Sequence, residues 1–210
     1  MKMKLMGIVL LCVILSSCGI STLSSTSPES IFASSSSSRE SSSESMYCNL
    51  EKAPIVGHKA VSNVEQYTGL DTGPGSTIGF SVDKAVFAEG RYYYRIAGYA
   101  VIDGFIRTDT PPQTDWYYVD IYTGEVFASS TLTVDEAVTS TILSYRDAEE
   151  KACEQYGDGD PRNGFVCNTL TCVDGRLKYW LQGLNDMGDH TATFGLYYVD
   201  IYTGEVTLSP

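Results

Sequence analysis

Ten consecutive residues, Tyr117-Tyr118-Val119-Asp120-Ile121-Tyr122-Thr123-Gly124-Glu125-Val126, recur without change at residues 197–206, 80 positions further on. Identity over such a stretch means internal duplication, which limits the fold to two related units. The rest of the unit follows at drifting offsets. Gly90-Arg91-Tyr92-Tyr93-Tyr94-Arg95-Ile96-Ala97-Gly98 matches Gly175-Arg176-Leu177-Lys178-Tyr179-Trp180-Leu181-Gln182-Gly183 at offset 85, and Glu65-Gln66-Tyr67 matches Glu154-Gln155-Tyr156 at offset 89. The shrinking offset gives the first copy extra loop residues, and residues 107–115, with Pro111-Pro112, are one place for them.

Each copy reads helix first, then strands. In the second, Thr133-Val134-Asp135-Glu136 has the form of a capping box. Val134, Ala137, Val138, Ile142, Tyr145, Ala148, Ala152, Cys153 and Tyr156 keep helical spacing up to Gly157, as one long helix or as two with a second start at Ser144-Tyr145-Arg146-Asp147. The first copy has Pro54 upstream, so its helix is the shorter stretch 58–67. Residues 80–87 and 165–173 read as strands followed by turns at Glu89-Gly90 and Asp174-Gly175, the second a strong hairpin signal. The repeated block alternates, with Tyr117, Val119 and Ile121 on one face and Tyr118, Asp120 and Tyr122 on the other. Gly124 and Gly204 then allow positive φ in the turn that follows. The expected class is α+β: two tandem repeats, 46–130 and 131–210, each a helix packed on a small antiparallel sheet.

The N-terminus is a separate object. Lys2 and Lys4 precede an apolar run of about 11 residues, 5–15, too short for a bilayer that needs about 20 in helical form. With Ser16, Ser17 and Cys18 it has the layout of a secretory signal, residues 1–17. Leu15-Ser16-Ser17-Cys18 resembles the bacterial lipobox, which implies cleavage before Cys18, lipidation of its sulfur, and attachment to a cell membrane or an outer membrane on the side away from the cytoplasm. Two or three acyl chains, which the resemblance implies, hold durably where one does not. Residues 21–45 are dominated by serine and cannot bury enough surface to offset ordering, so 18–45 reads as a flexible tether spanning about 25–30 Å on average.

A helix starting near Val134-Asp135-Glu136-Ala137, an antiparallel sheet, and a closing strand of the form Tyr-Val-Asp-x-x-Thr-Gly-Glu-Val together look like the PepSY domain, here in tandem. The first copy carries the closing strand without the Val-Asp-Glu-Ala start. The resemblance implies a small, non-enzymatic, extracytoplasmic module of the kind found with protease propeptides, restraining or regulating peptidases near the cell surface. It carries over no catalytic residues and no cofactor. Trp116-Tyr117-Tyr118-Val119-Asp120 is also similar to the choline-binding wall repeat, but that repeat recurs about every 20 residues with several Trp, and this chain has only Trp116 and Trp180.

Composition narrows the partners. The 210 residues hold 14 Lys and Arg against 26 Asp and Glu, a net charge of −12, and loss of residues 1–17 with its two lysines makes it −14. Nucleic acid is not an expected partner, since clustered cations are missing. With only His58 and His190, imidazole-based catalysis has few candidates, and the chain is not read as an enzyme. Asp120 and Asp200 read as structural turn residues whose carboxylates accept backbone N–H bonds. The loop Gly157-Asp158-Gly159-Asp160-Pro161-Arg162-Asn163-Gly164 lacks carboxylates at the fifth and twelfth positions of a calcium loop, so no metal is assigned. Gly73-Pro74-Gly75 has the wrong spacing for a phosphate loop. Cys48, Cys153, Cys167 and Cys172 allow two disulfides in three pairings, or buried free thiols; Cys153, on the sheet-facing side of its helix, could reach Cys172 or Cys167. The functional expectation is a membrane-tethered binding or regulatory module meeting an extracellular protein such as a peptidase; the alternative is an envelope structural or ligand-sensing lipoprotein with no protease connection.

Overall fold

The computed structural model describes Cys48 and residues 52–210. Residues 1–17, read as a signal segment, Cys18, read as a lipidation site, and residues 18–45, read as a tether, lie outside the described residues. The fold is α+β, with few helices and two antiparallel sheets.

The first sheet follows helix α1 (Gly57–Thr68) and contains β1 (Ile78–Ala88), β2 (Arg91–Ile102), the short β3 (Phe105–Ile106), β4 (Tyr117–Asp120) and β5 (Val126–Ala128). Its order is β1-β2-β4-β5, with β3 folded back on the end of β2. The second sheet follows α2 (Glu136–Thr139) and α3 (Tyr145–Tyr156) and runs β6 (Asn163–Val173), β7 (Arg176–Asp186), β8 (Thr191–Asp200), β9 (Val206–Leu208) in sequence order. Asp174 and Gly175 both take positive φ, 52° and 77°, the two-residue turn whose twist matches the flanking strands. The first copy's extra residues form the β3 return and the loop through Pro111 and Pro112, where the second has only residues 187–190.

Both sheets carry a bulge at matching positions of their first strand, at Asp83 between Val82 and Lys84 and at Asn168 between Cys167 and Thr169. Each of those strands is a sheet edge, and each edge is covered. On β1, Phe87 N–H donates to Thr139 Oγ1 and Phe87 C=O accepts from Asp135 N–H. On β6, Cys167 N–H donates to Glu149 Oε1 and Leu170 N–H to the Tyr94 hydroxyl. Edge donors left open would invite pairing with other chains.

The start of the second helical region departs from the Thr133–Glu136 expectation. Val134 forms a bridge to Ala88, which keeps its backbone extended, so the cap moves to Asp135, whose side chain accepts from Val138 N–H. Helix α2 lasts one turn because Leu143 N–H leaves to bond Ile201 C=O. Helix α3 then restarts at Ser144 with a full capping box to Asp147. Helix α1 has no side-chain cap, its N-cap being Val56.

One buried cluster joins both halves, with Val64, Tyr94, Ile96, Val119 and Ile121 from the first and Ala148, Leu170, Tyr179, Leu181 and Ile201 from the second. Two tyrosines fix it reciprocally. Tyr94 OH donates to Ile55 C=O (2.6 Å) in its own half and accepts from Leu170 N–H (3.1 Å) in the other. Tyr179 OH donates to Leu143 C=O (2.7 Å) and accepts from Ala85 N–H (3.0 Å). Each phenol thus satisfies a helix-entry carbonyl and an edge-strand amide that burial would otherwise leave unpaired. Tyr94→Phe or Tyr179→Phe strips partners from both and should cost about 1–3 kcal/mol, read from urea unfolding. A loss no larger than that for the exposed Tyr67→Phe would contradict the role.

Cys48 is bonded to Cys172, 124 residues apart, and its N–H also donates to Gly175 C=O. The helix-to-sheet staple through Cys153 is therefore not formed: Cys153 is exposed, turned away from the sheet, and Cys167 is a buried free thiol. The bond ties the start of the folded chain to the β6–β7 hairpin. Cys48→Ser should lower stability by about 3–5 kcal/mol, the range for closing so long a loop. The wild-type chain should lose the same amount on reduction, and a variant as stable as the oxidised parent would contradict it.

Candidate functional site

Between the bulged stretches of β1 and β6 the two halves leave a cleft with two lobes. One, of about 440 Å³, is lined from α1 (Gly57, His58, Val61), β1 (Phe80, Ser81, Val82), β6 (Cys167, Asn168, Thr169) and β7 (Trp180, Gln182). The other, of about 570 Å³, is lined from α3 (Tyr145, Arg146, Glu149), the same strands, and the loop after β3 (Arg107, Asp109). Tyr145 lines both and forms the floor between them.

The lobes occupy matching places in the two halves but differ in charge. At the first bulge Asp83 is held by Arg95, which also stacks over Trp116 at 4.5 Å. At the second bulge stands the neutral Asn168, and the residue matching Arg95 is Trp180. The α3 lobe thus holds Asp83, Asp109 and Glu149, whereas among the described residues no acidic side chain lines the α1 lobe.

The floor is made of buried titratable groups. Burial pushes the Tyr145 phenol and the Cys167 thiol well above their ordinary values, so both stay protonated near neutrality. Glu149 is also raised, by burial first, against the pull of the Cys167 N–H bond and of Arg146. A thiol so buried and so protonated is a poor nucleophile. Lys84 is lowered by burial and by Arg95, and its ammonium donates to Thr139 C=O.

The turn residues lie elsewhere, at the ends of β4 and β8. Asp120 Oδ1 accepts from the N–H of Tyr122 and of Thr123, both at 2.8 Å, and Asp200 Oδ1 from Tyr202 (3.0 Å) and Thr203 (2.9 Å). Arg91 and Arg176 approach the same carboxylates at 3.5 and 3.8 Å. Gly124 and Gly204 take φ of 74° and 71°. In the loop before β6 the Asp160 carboxylate is occupied by Arg162, which holds its pKa down to about 2. Among the described residues no group of three His, Cys, Asp or Glu side chains gathers to hold a metal.

The sequence marks Tyr145 only as an apolar position of the second helical stretch, and it carries no signal for Glu149 or Asn168 as cleft residues. Tyr94 and Tyr179 did carry a signal, since they are the tyrosines that keep register in the block repeated at offset 85. Comparison with protein-family models, with curated proteins and with solved structures gives no match.

Glu149 makes the cleft pH-sensitive. Its folded-state pKa is the higher one, so the folded chain holds this proton more tightly than the unfolded chain. The stabilisation is present below the ordinary glutamate range and is lost as pH rises through the raised value. Glu149→Gln should flatten that decline in urea midpoints measured from pH 4 to 7; parallel curves for variant and parent would exclude it.

Proposed function

We propose that the chain is a lipid-tethered extracytoplasmic protein whose folded part, two tandem PepSY-like units, binds a partner protein such as a surface peptidase and performs no chemistry itself. The observation that carries the reading is the Cys48–Cys172 bond. A bond of this kind persists in oxidising compartments, in line with the signal-like residues 1–17 and the Leu15-Ser16-Ser17-Cys18 lipobox. Cys48 stands three residues after the serine tether, so a pull through the tether falls on a covalently stapled hairpin rather than on a fraying end. The helix-then-sheet order of both halves, each closing on the same ten-residue block, supports the tandem PepSY-like reading. A second reading, an envelope protein that senses a small ligand with no protease connection, is favoured by the acid-free lobe of the cleft.

Cys18→Ser should move the protein from the membrane pellet to the soluble fraction, and an unchanged pellet would refute the anchor. The released chain should capture a surface peptidase and lower its activity. Binding to a small ligand with no peptidase inhibited would favour the second reading.

A further inference from the structure

The first sheet carries one element that the second lacks, the β2–β3 return. Asp103 and Gly104 turn it with φ of 53° and 82°, so that Ile102 faces Phe105 and Val101 faces Ile106 across the pair. Further bonds hold its base: Arg107 N–H donates to Ala100 C=O, Gln113 N–H donates to Gly98 C=O, and the Arg107 guanidinium donates to both oxygens of Asp109. The tip is therefore a built strand pair.

Its side chains are apolar and in water. Phe105 is 73 % exposed, Ile102 47 % and Ile106 41 %. Single exposed apolar residues call for no explanation, but three within one five-residue projection do. Cross-strand partners share a face and successive residues alternate, so Ile102 and Phe105 lie on one face and Ile106 on the other. On its own side Ile106 packs over Gly79, where an added Cβ would stand 2.7 Å from Ile106 Cγ1, and it lines the α3 lobe together with Val166. A strand pair that only covers its own core is apolar on one face. This tip is apolar on both, beyond what its own fold covers.

An element of that kind is covered fully only by a recess. A bilayer suits it badly, because the exposed Asp103 leads the tip and would enter the hydrocarbon first, unpaired. The tip also lies away from the point where the tether enters. Cys48 is bonded at Cys172 and Gly175, whereas Val166, in the lobe that Ile106 lines, stands on the order of 20 Å back along β6. A second copy meeting the first tip to tip would set Asp103 against Asp103. Its three side chains offer on the order of 300–400 Å² per copy, and the pair would fall short of the roughly 1,200 Å² of a stable interface.

We infer that the β2–β3 hairpin is a docking wedge for a partner protein: Phe105 and Ile102 fill a recess with apolar walls, and Asp103 meets a cation or backbone N–H at its floor. A buried aromatic anchor beside a charge-assisted bond is the usual centre of such an interface. The inference rests on the binding part of the reading above and leaves open to test whether the partner is a peptidase.

The test uses the full chain carrying Cys18→Ser with Phe105 replaced by the photoreactive p-benzoylphenylalanine, irradiated with isolated cell envelopes. Sequencing of the adduct should place the cross-link in an apolar recess of one partner protein. In calorimetry with that purified partner, Phe105→Ala should weaken binding at least about thirtyfold, the scale of an aromatic hot spot. Asp103→Asn should weaken it about tenfold, the scale of one charge-assisted bond. Leu208→Ala, 61 % exposed but outside the hairpin, should bind like the parent. All three variants should keep the parent's urea midpoint, because the altered side chains stand in water. Adducts only to lipid or to a second copy, adducts scattered over many proteins, no adduct, or full binding by Phe105→Ala would overturn the wedge. A partner that is no peptidase but is lost with Phe105→Ala would support the wedge and count against the peptidase reading; a surface peptidase bound equally by Phe105→Ala would do the reverse.

Discussion

Two phenolic hydroxyls, on Tyr94 and Tyr179, hold the two halves in one arrangement. Each sits in the middle of its sheet, donates to the residue that leads into its own helix, and accepts from the edge strand of the other sheet. Burial makes these bonds obligatory: removal from water pushes Tyr94 up to about 12 and raises Tyr179 well above its ordinary value. Neither phenol can ionise near neutrality, so both remain donors. Because the demand runs both ways, neither sheet completes its edge without the other, and the shared core of Val119, Ile121, Val199 and Ile201 closes around the crossing.

The bulges are what bring those edges into reach. One extra residue at Asp83 and at Asn168 twists each first strand and turns the amides of Ala85 and Leu170 toward the opposing tyrosine. The same kinks open the cleft, so the device that joins the halves also creates the concavity between them. Its two lobes show what happens when a duplicated geometry carries different side chains. Asp83 with Arg95 and Asn168 with Trp180 occupy matching places, and one lobe becomes charged while the other becomes apolar and acid-free.

Local chemistry was legible where it is short-ranged. Helix α1, expected over 58–67 from the upstream Pro54 and found one residue longer at each end, the Asp174-Gly175 hairpin and the alternation of Val119 and Ile121 toward the core follow from signals a few positions apart. The misplaced cap at Thr133 shows the limit of such reasoning: a capping-box pattern is overruled when Val134 pairs with Ala88, 46 positions earlier in the chain. Cys153 misled for a related reason. Of the one-helix and two-helix readings, the second holds: the helical stretch breaks at Leu143, where the backbone pairs with Ile201, and α3, restarted at Ser144, turns Cys153 outward.

The sequence by itself determined that the chain is duplicated, that each half runs helix then antiparallel strands, and that four cysteines follow a serine-rich lead. These are properties of identity, period and composition, readable without knowing what touches what. Only the tertiary structure decided that Cys48 pairs with Cys172, that the edge strands are closed by tyrosines from opposite halves, and that Tyr145 meets the bare start of α1. Those contacts join residues 76 to 124 positions apart across a crossing set by two single-residue bulges, and a bulge leaves too faint a mark on the alternation of a strand to be read in advance.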